Sequence, residues 1–464
     1  MDKNIVSQTV SQLRATFNSG KTKPIEWRKE QLKQLRRLIE ENSSTLEKAL
    51  REDLGKSEIE SRMTETAFVK GEISYTLKKL NRWMKSTKCL MPLMLQPATG
   101  QLVYEPLGVV LIITPWNYPI MLLLSPLVGA LAAGNCVLLK PSEVSPTVSK
   151  VLAELIPQYL DHDAVKILEG DAEGTGLILE ERFDYIFYTG NEYVARIVSV
   201  AAAKYLTPVT LELGGKSPVW IGKGVNLKHV VNRIVWSKFI NAGQTCVAPD
   251  YIVTTPDIAD QLGKYFIKSI KKFYGKNPEN NMDYCRIINQ KHVRRLKNML
   301  DDIDPGQILT GGEVKIPEKY IAPTVIDHVS LDSELMKSEI FGPILPIVRV
   351  NNFEEALQLI LSKEKPLALY AFTKNKEEKS RLLRDTSSGV IGFNIPVAHL
   401  SSPKLPFGGV GISGYGNYHG KYSFITFSHL KPILSKPLWP DTMRFIYAPY
   451  GYMAKLVTKL FIGR

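Results

Sequence analysis

The sequence predicts an α/β protein with two parallel-sheet domains, on three observations. From residue 109, short apolar runs at 109–113, 137–139, 185–188 and 209–213 alternate with longer helical stretches. That alternation is the pattern of βαβ units, whose parallel sheet is covered by helices. The alternation resumes after Cys246, with strands at 251–254, 344–350 and 367–372 and helices at 261–273 and 353–361. The length of 464 residues suits two or three domains, at roughly 150 residues each.

Taken in order, the first hundred residues read as amphipathic helices, and the charge run from Arg28 to Arg37 reads as a solvated helix face. Residues 90–95 and 101–104 read as two strands around the turn Pro97-Ala98-Thr99-Gly100. A helix is expected at 230–239, just before Cys246. The glycine-rich segment Phe407-Gly408-Gly409-Val410-Gly411-Ile412-Ser413-Gly414-Tyr415-Gly416 reads as a tight loop, not a linker. There is no internal repeat and no low-complexity segment.

Composition narrows the function classes. With 44% apolar and 23% charged residues the chain is of the ordinary globular kind. A net charge of +13 favours anionic partners such as nucleotides, a membrane surface or nucleic acid. No nucleic-acid-binding motif accompanies the charge, so no nucleic-acid partner is expected. Cys89, Cys136, Cys246 and Cys285 are dispersed, with neither a disulfide framework nor the close spacing of a zinc site, and no metal site is expected. The N-terminus lacks the apolar core of a signal peptide. The apolar stretch 120–133 is interrupted by Ser125, Pro126 and Gly129, and it falls short of the ~20 residues that span a bilayer. The expected location is the reducing cytoplasm.

Five segments carry candidate chemistry. In Asn241-Ala242-Gly243-Gln244-Thr245-Cys246, small and polar residues precede a cysteine, which places the thiol where backbone is expected to be exposed. Such a cysteine is either a packing residue or a thiolate nucleophile. In Leu211-Glu212-Leu213-Gly214-Gly215-Lys216 a carboxylate ends an apolar strand. It is either satisfied by backbone N–H groups or raised by burial toward use as a general base. In Thr114-Pro115-Trp116-Asn117-Tyr118-Pro119, Asn117 either caps the following helix or donates its amide to an oxyanion. Lys140-Pro141-Ser142-Glu143 follows a strand, where the ligand crevice of an open α/β sheet lies, and Lys140 and Glu143 are either ribose ligands or an ordinary surface pair. Phe187-Tyr188-Thr189-Gly190-Asn191 closes a strand before a helix running through Ala195. That helix N-terminus suits a pyrophosphate, although no GxGxxG is present.

Together these segments resemble the aldehyde dehydrogenase superfamily over nearly the whole chain. The resemblance rests on Glu212-Leu213-Gly214-Gly215-Lys216 and Gly243-Gln244-Thr245-Cys246, with Glu212 and Cys246 lying 34 residues apart. It rests also on Trp116-Asn117-Tyr118-Pro119, Lys140-Pro141-Ser142-Glu143, Glu339-Ile340-Phe341-Gly342-Pro343 and Pro406-Phe407-Gly408-Gly409-Val410-Gly411. The finer likeness is to class 3, the fatty aldehyde dehydrogenase branch, through Pro208-Val209-Thr210-Leu211-Glu212, Ala248-Pro249-Asp250-Tyr251 and Tyr418-His419-Gly420-Lys421.

The resemblance implies a Rossmann-like NAD-binding domain (1–85 and 104–211), an α/β catalytic domain (212–398), a small β bridging or oligomerisation element (86–103 and 399–432) and a C-terminal tail (433–464). It implies NAD as cofactor, with NADP also open, an apolar aldehyde as substrate and a homodimer. Cys246 is then the nucleophile, Glu212 the base that activates the hydrolytic water, and Asn117 with the Cys246 N–H the oxyanion site. Cofactor binding falls to Thr114, Trp116, Lys140 and Glu143, to the turn Gly190, Asn191, Glu192, Tyr193, Val194 and Ala195, and to Glu339 and Phe341. Two departures stand out: Ala195 replaces the last glycine of the pyrophosphate turn, and Gly392-Phe393-Asn394-Ile395-Pro396 replaces a usual Asn-Asp pair near the substrate channel. Competing readings are an acylating or semialdehyde dehydrogenase, against which the retained Glu212 argues, and a retired enzyme serving as a structural or membrane scaffold.

The tail adds an element of its own. Met453, Leu456, Val457, Leu460 and Phe461 fall at helical spacing, with Lys455, Lys459 and Arg464 beside them and Tyr447, Tyr450 and Tyr452 upstream. This stripe either docks on the protein or its partner, or lies in the plane of an anionic membrane, which would place the protein peripherally on the inner face.

Overall fold

Four long helices, Lys3–Asn18, Ile25–Glu41, Ser43–Leu54 and Ala67–Trp83, with the short helix Glu58–Ser61 before the last, open the computed structural model, which describes residues 2–461 (backbone only for Met94, Phe445, Leu460 and Phe461). In the second helix Leu32, Leu35, Leu38 and Ile39 form the buried stripe. The charge run there is not uniformly solvated. Lys33, Arg36 and Arg37 are exposed, but Arg28 is 4% exposed and donates to the carbonyls of Lys23 and Ala132 at 3.1 Å each. Burial lowers its pKa to about 10.

The first large sheet has six strands in the order Gly414–Tyr415, Val209–Glu212, Tyr185–Thr189, Val109–Ile113, Cys136–Lys140 and Val165–Ile167, all parallel except the short first one. Its strands read as unbroken apolar runs because both faces are covered. Val110, Ile112, Val137 and Leu139 face the main core with the wholly buried helix Pro119–Ala133. Val109, Leu111, Cys136 and Leu138 face a second core under the helix Lys3–Asn18. The strand order reverses beside Val109–Ile113, between it and Tyr185–Thr189, and ligand crevices open at the carboxyl ends of such a switch point.

The second sheet has seven strands: Ile308–Thr310, Thr324–Ile326, Ile344–Arg349, Tyr251–Thr254, Pro218–Ile221, Ala368–Phe372 and Val390–Phe393. All neighbours are parallel except the first pair. Thr87–Cys89, Thr99–Pro106 and Ser428–Ser435 form a separate antiparallel sheet. The expected strand at 90–95 lies earlier, at Thr87–Cys89, and Leu93–Leu95 is a 3₁₀ turn. Pro92 and Pro97 flank that turn and cannot donate to a ladder. The tail forms the helix Tyr452–Phe461, which rests on the turn Thr442–Ile446 and leaves Met453 and Leu456 exposed. The side chains of Leu460 and Phe461, and Arg464 altogether, lie outside the described residues. No helix among the described residues is long and apolar enough to cross a membrane.

The glycine-rich loop is tight because backbone meets backbone. Gly414, at φ +117°, pairs with Glu212, and a Cβ there would lie 1.9 Å from the Leu211 carbonyl oxygen. Gly414→Ala is therefore expected to destabilise the protein by about 2 kcal/mol or more, with lower urea midpoint and lower enzyme activity together.

Candidate active site

Two sheet edges face each other across the short link from Leu213 to Ser217. On the first sheet, Thr189 pairs with Glu212 and Tyr188 with Ile113, so Thr114, Thr189 and Glu212 share one row at the carboxyl edge. On the second sheet the three adjacent parallel strands Ile344–Arg349, Tyr251–Thr254 and Pro218–Ile221 begin on the facing side. The loops leading into them therefore converge, and they carry Glu339 to Pro343, Cys246 and Gly214 to Lys216. Asp250 ties all three. Its Oδ1 accepts from the Ile340 N–H at 3.1 Å, its Oδ2 from Lys216 Nζ at 2.5 Å, and Lys216 also donates to the Ser338 carbonyl at 3.1 Å.

The Cys246 loop is unlike the exposed segment its composition suggests. Residues 241–245 are buried, and Cys246 is partly exposed. Asn241, Ala242 and Gly243 are all left-handed, at φ 51°, 50° and 75°. A Cβ on Gly243 would meet the Gly342 carbonyl oxygen at 2.2 Å, so this loop and the Glu339 loop are in backbone contact. Buried polar backbone of this kind must find partners outside secondary structure. Glu60 accepts from the Asn241 N–H at 2.8 Å. The Asn241 amide donates to the carbonyls of Asn117 at 2.8 Å and Gln244 at 3.1 Å, and Gln244 Oε1 accepts from the Ile288 N–H. The Tyr118 hydroxyl lies 2.6 Å from Thr245 Oγ1, and Tyr370 donates to the Val247 carbonyl at 2.7 Å.

Asn117 is not a helix cap. The helix starts at Pro119 with Tyr118 in the cap position, and Asn117 instead donates through Nδ2 to the Gln244 carbonyl at 3.0 Å. An amide nitrogen carries two hydrogens, so one remains for a ligand. Glu212 is 1% exposed and neither of its oxygens has a hydrogen-bond partner, which removes the reading of a backbone-satisfied strand end. Burial alone pushes its pKa well above the ordinary carboxylate range. The Cys246 thiol is likewise raised by burial, then by the neighbouring Glu339 and Glu212 charges. Glu339 itself is pushed up to about 8 by burial and the charge of Asp250. Its carboxylate lies against Gly214, where a Cβ would meet Oε2 at 2.2 Å.

The expected cofactor residues separate into groups. Lys140 is 3% exposed and pairs with the exposed Glu143 at 2.8 Å. Thr114 and Thr189 keep buried hydroxyls without partners at the ends of the two strands flanking the switch point. Trp116 meets the Phe341 ring edge-on at 5.5 Å and the His292 ring at 5.0 Å. At the turn, Asn191 caps the helix Glu192–Ala203 through the Val194 N–H, 3.0 Å away, and Val194 is half-buried. Glu192 pairs with Arg196, and Tyr193 is 75% exposed. Ala195 packs its methyl into the core beneath the sheet. Gly190 has an internal reason: a Cβ would lie 2.2 Å from the Tyr188 hydroxyl. An open cavity of about 660 Å³ beside Lys271 and Lys315 contains none of these residues.

Sequence reasoning missed Lys56, Glu60, Glu65 and Asp250, which hold the loops. The first three lie among the charged residues of the helical N-terminal region, where hydropathy patterning shows only a polar face.

A half-buried thiol beside an unpartnered carboxyl, with an amide N–H to spare, is the arrangement of an enzyme that attacks a carbonyl carbon through sulfur. A family model described as aldehyde dehydrogenase family matches residues 1–433. Aldehyde dehydrogenase family 3 member B2 of Mus musculus is 47% identical over 96% of this chain and 92% of its own length. The dimeric NADP-preferring aldehyde dehydrogenase of Canis lupus familiaris is 46% identical over 96% and 98%. Among solved structures, a substrate-bound Staphylococcus aureus AldH superposes with a TM-score of 0.96 at 42% identity, covering 99% of this chain and 100% of the other. The chain belongs to the aldehyde dehydrogenase family, in its class 3 branch, and is an NAD(P)-dependent oxidoreductase.

The electrostatics yield a test. Above about pH 8 Glu339 is ionised, and its charge disfavours the thiolate. At pH 9, without cofactor, Glu339→Gln should speed alkylation of Cys246 by iodoacetamide severalfold, followed by mass spectrometry of the modified peptide. Equal rates would separate Glu339 from the thiol.

Proposed function

We propose that this enzyme oxidises an apolar aldehyde to its acid, with Cys246 as nucleophile, Glu212 as base and Asn117 as oxyanion donor. The observation that carries the reading is the Glu212 carboxyl, buried with both oxygens unpartnered. Burying such a group costs stability and serves no packing purpose. It gains a purpose only if it exchanges a proton with a reacting molecule. Cys246 adds to the carbonyl carbon, and the free Asn117 N–H and the Cys246 N–H stabilise the oxygen as it becomes anionic. A thiohemiacetal retains the C–H that must leave as hydride. A bound nicotinamide would supply the hydride acceptor there, leaving the acyl group on Cys246 as a thioester. Glu212 then takes a proton from water as the water attacks, and the acid departs. A base of raised proton affinity suits this step near neutral pH. The same carboxyl argues against an acylating enzyme, where no water needs activating, and against a retired scaffold.

The crevice at the switch point fits a dinucleotide. Two orphan hydroxyls, Thr114 and Thr189, open at its floor. Lys140 and Glu143 would meet the adenosine ribose, the turn from Gly190 to Ala195 with its helix N-terminus the pyrophosphate, and Glu339, Trp116 and Phe341 the nicotinamide end. Ala195, facing the core, leaves that turn's outer surface unaltered. Glu143 is neutralised by Lys140, so its repulsion of a 2′-phosphate is blunted, and both NAD and NADP are accepted. The domain boundaries inferred from the sequence fit this division of labour, with 1–85 and 104–211 binding the nucleotide and 212–398 carrying the nucleophile. A homodimer is supported by the name of the canine relative and by the strand Ser428–Ser435. That strand pairs on one side only and exposes Leu430, Ile433 and Leu434.

Glu212→Gln should retain a burst of one NADH per site and then slow to a steady state reduced at least about 100-fold, seen by rapid-mixing absorbance. Loss of the burst would assign Glu212 to the first step or to structure.

The tail helix, with Met453 and Leu456 outward and Lys455 and Lys459 exposed beside them, supports in-plane attachment to an anionic bilayer, where apolar aldehydes partition. The full chain should pellet with anionic liposomes at low salt, and a chain ending at Ala448 should not. Equal behaviour of the two would leave a helix docked on protein.

A further inference from the structure

We propose that Lys56, held by Glu65, is a positioning residue for the Asn117 amide, so that a buried ion pair from the N-terminal region aligns the oxyanion site. The proposal rests on the role of Asn117 given above.

Helix Glu58–Ser61 runs into a π turn, Arg62–Thr66. Such an i→i+5 turn inserts a residue into the helix and often marks a functional site. Here it turns Glu65 inward to pair with Lys56, and both side chains are 0% exposed. A buried pair of this kind adds little stability over apolar residues of the same volume, because desolvation offsets the attraction. Its hydrogen bonds give it another reason to exist. Lys56 Nζ donates to the Asn117 carbonyl at 3.0 Å and sits 4.0 Å over the Tyr118 ring. Glu65 Oε2 accepts from the N–H groups of Ile120 at 2.9 Å and Met121 at 3.2 Å. These are donors of the first helical turn, where Tyr118 supplies no side-chain cap. The ammonium thus grips residues 117–121 by a carbonyl and the carboxylate grips them by two N–H groups.

Asn117 is held on its other side by the nucleophile loop, through its own Nδ2 to the Gln244 carbonyl and through Asn241 Nδ2 to its carbonyl. Its backbone carbonyl is therefore the point where the ion pair and the nucleophile loop meet. Remove Lys56, and the peptide that orients the free N–H loses one of its two anchors. An oxyanion donor displaced by about 1 Å forfeits most of its effect, on the order of 100-fold.

The test is a double-mutant cycle in the full chain. Lys56→Met should lower kcat for aldehyde oxidation by about 30- to 100-fold, leaving KM for the cofactor within about twofold. Iodoacetamide alkylation of Cys246 should stay within about threefold, since alkylation develops no oxyanion. Adding Lys56→Met to Asn117→Ala should cost nothing further, because the amide that Lys56 aligns is already gone. If Lys56→Met fails to fold, because it strands the Glu65 charge, the neutral pair Lys56→Met/Glu65→Gln takes its place in the same cycle; Gln keeps a carbonyl for Ile120. Full activity of Asn117→Ala would overturn the reading of the oxyanion site and this proposal with it. Loss of activity in Asn117→Ala, followed by a multiplicative further loss on removing Lys56, would overturn this proposal alone, as would an unchanged kcat on removing Lys56.

Discussion

Buried backbone without secondary structure is the constraint on which this site depends. The loops entering three adjacent parallel strands have to meet the edge of another sheet, and their N–H and carbonyl groups are taken from water where no ladder or helix can receive them. Side chains do the work instead. Glu60 holds the left-handed stretch at Asn241, Asp250 joins the Lys216 and Ile340 segments, and the Asn117 carbonyl receives both Lys56 and Asn241. Each of these polar groups is buried, so each is costly unless paired, and pairing fixes the backbone that carries Cys246, Glu339 and Asn117.

Several buried polar side-chain atoms have no partner. Among them Glu212, Thr114, Thr189 and the Asn117 side-chain oxygen lie together where the two sheet edges meet. The same burial that raises the Glu212 carboxyl also raises the Cys246 thiol, so desolvation favours the neutral form of both.

Much of this was legible in the chain. The short unbroken apolar runs located strands of both sheets, because a parallel sheet covered on two faces buries every residue of a strand. The segments around Cys246 and Glu212 announced themselves by glycines that permit close approach, as at Gly243 and Gly214, and Asn117 by its place at a strand's carboxyl end. The strand expected at 90–95 shifted because proline decides locally where a ladder can form, whereas strand pairing is decided by a partner more than ten residues away.

The order of elements was thus determined by the sequence itself, which also put forward Cys246, Glu212 and Asn117 as candidates, since apolar runs, turn chemistry and side-chain identity are local properties. Tertiary structure alone decided which charges are buried. Arg28, Glu60 and Glu65 sit in helical turns, and Lys56 in the link between two of them, where the patterning matches that of solvated helices, and only the arrival of residues 117–134 and 241 turns them into interior partners. Likewise Gly190, which looked like a phosphate turn, answers first to the Tyr188 hydroxyl, and Ala195, which looked like a defect in that turn, faces the core. Desolvation depends on what packs from a distance, and a linear pattern holds no record of it.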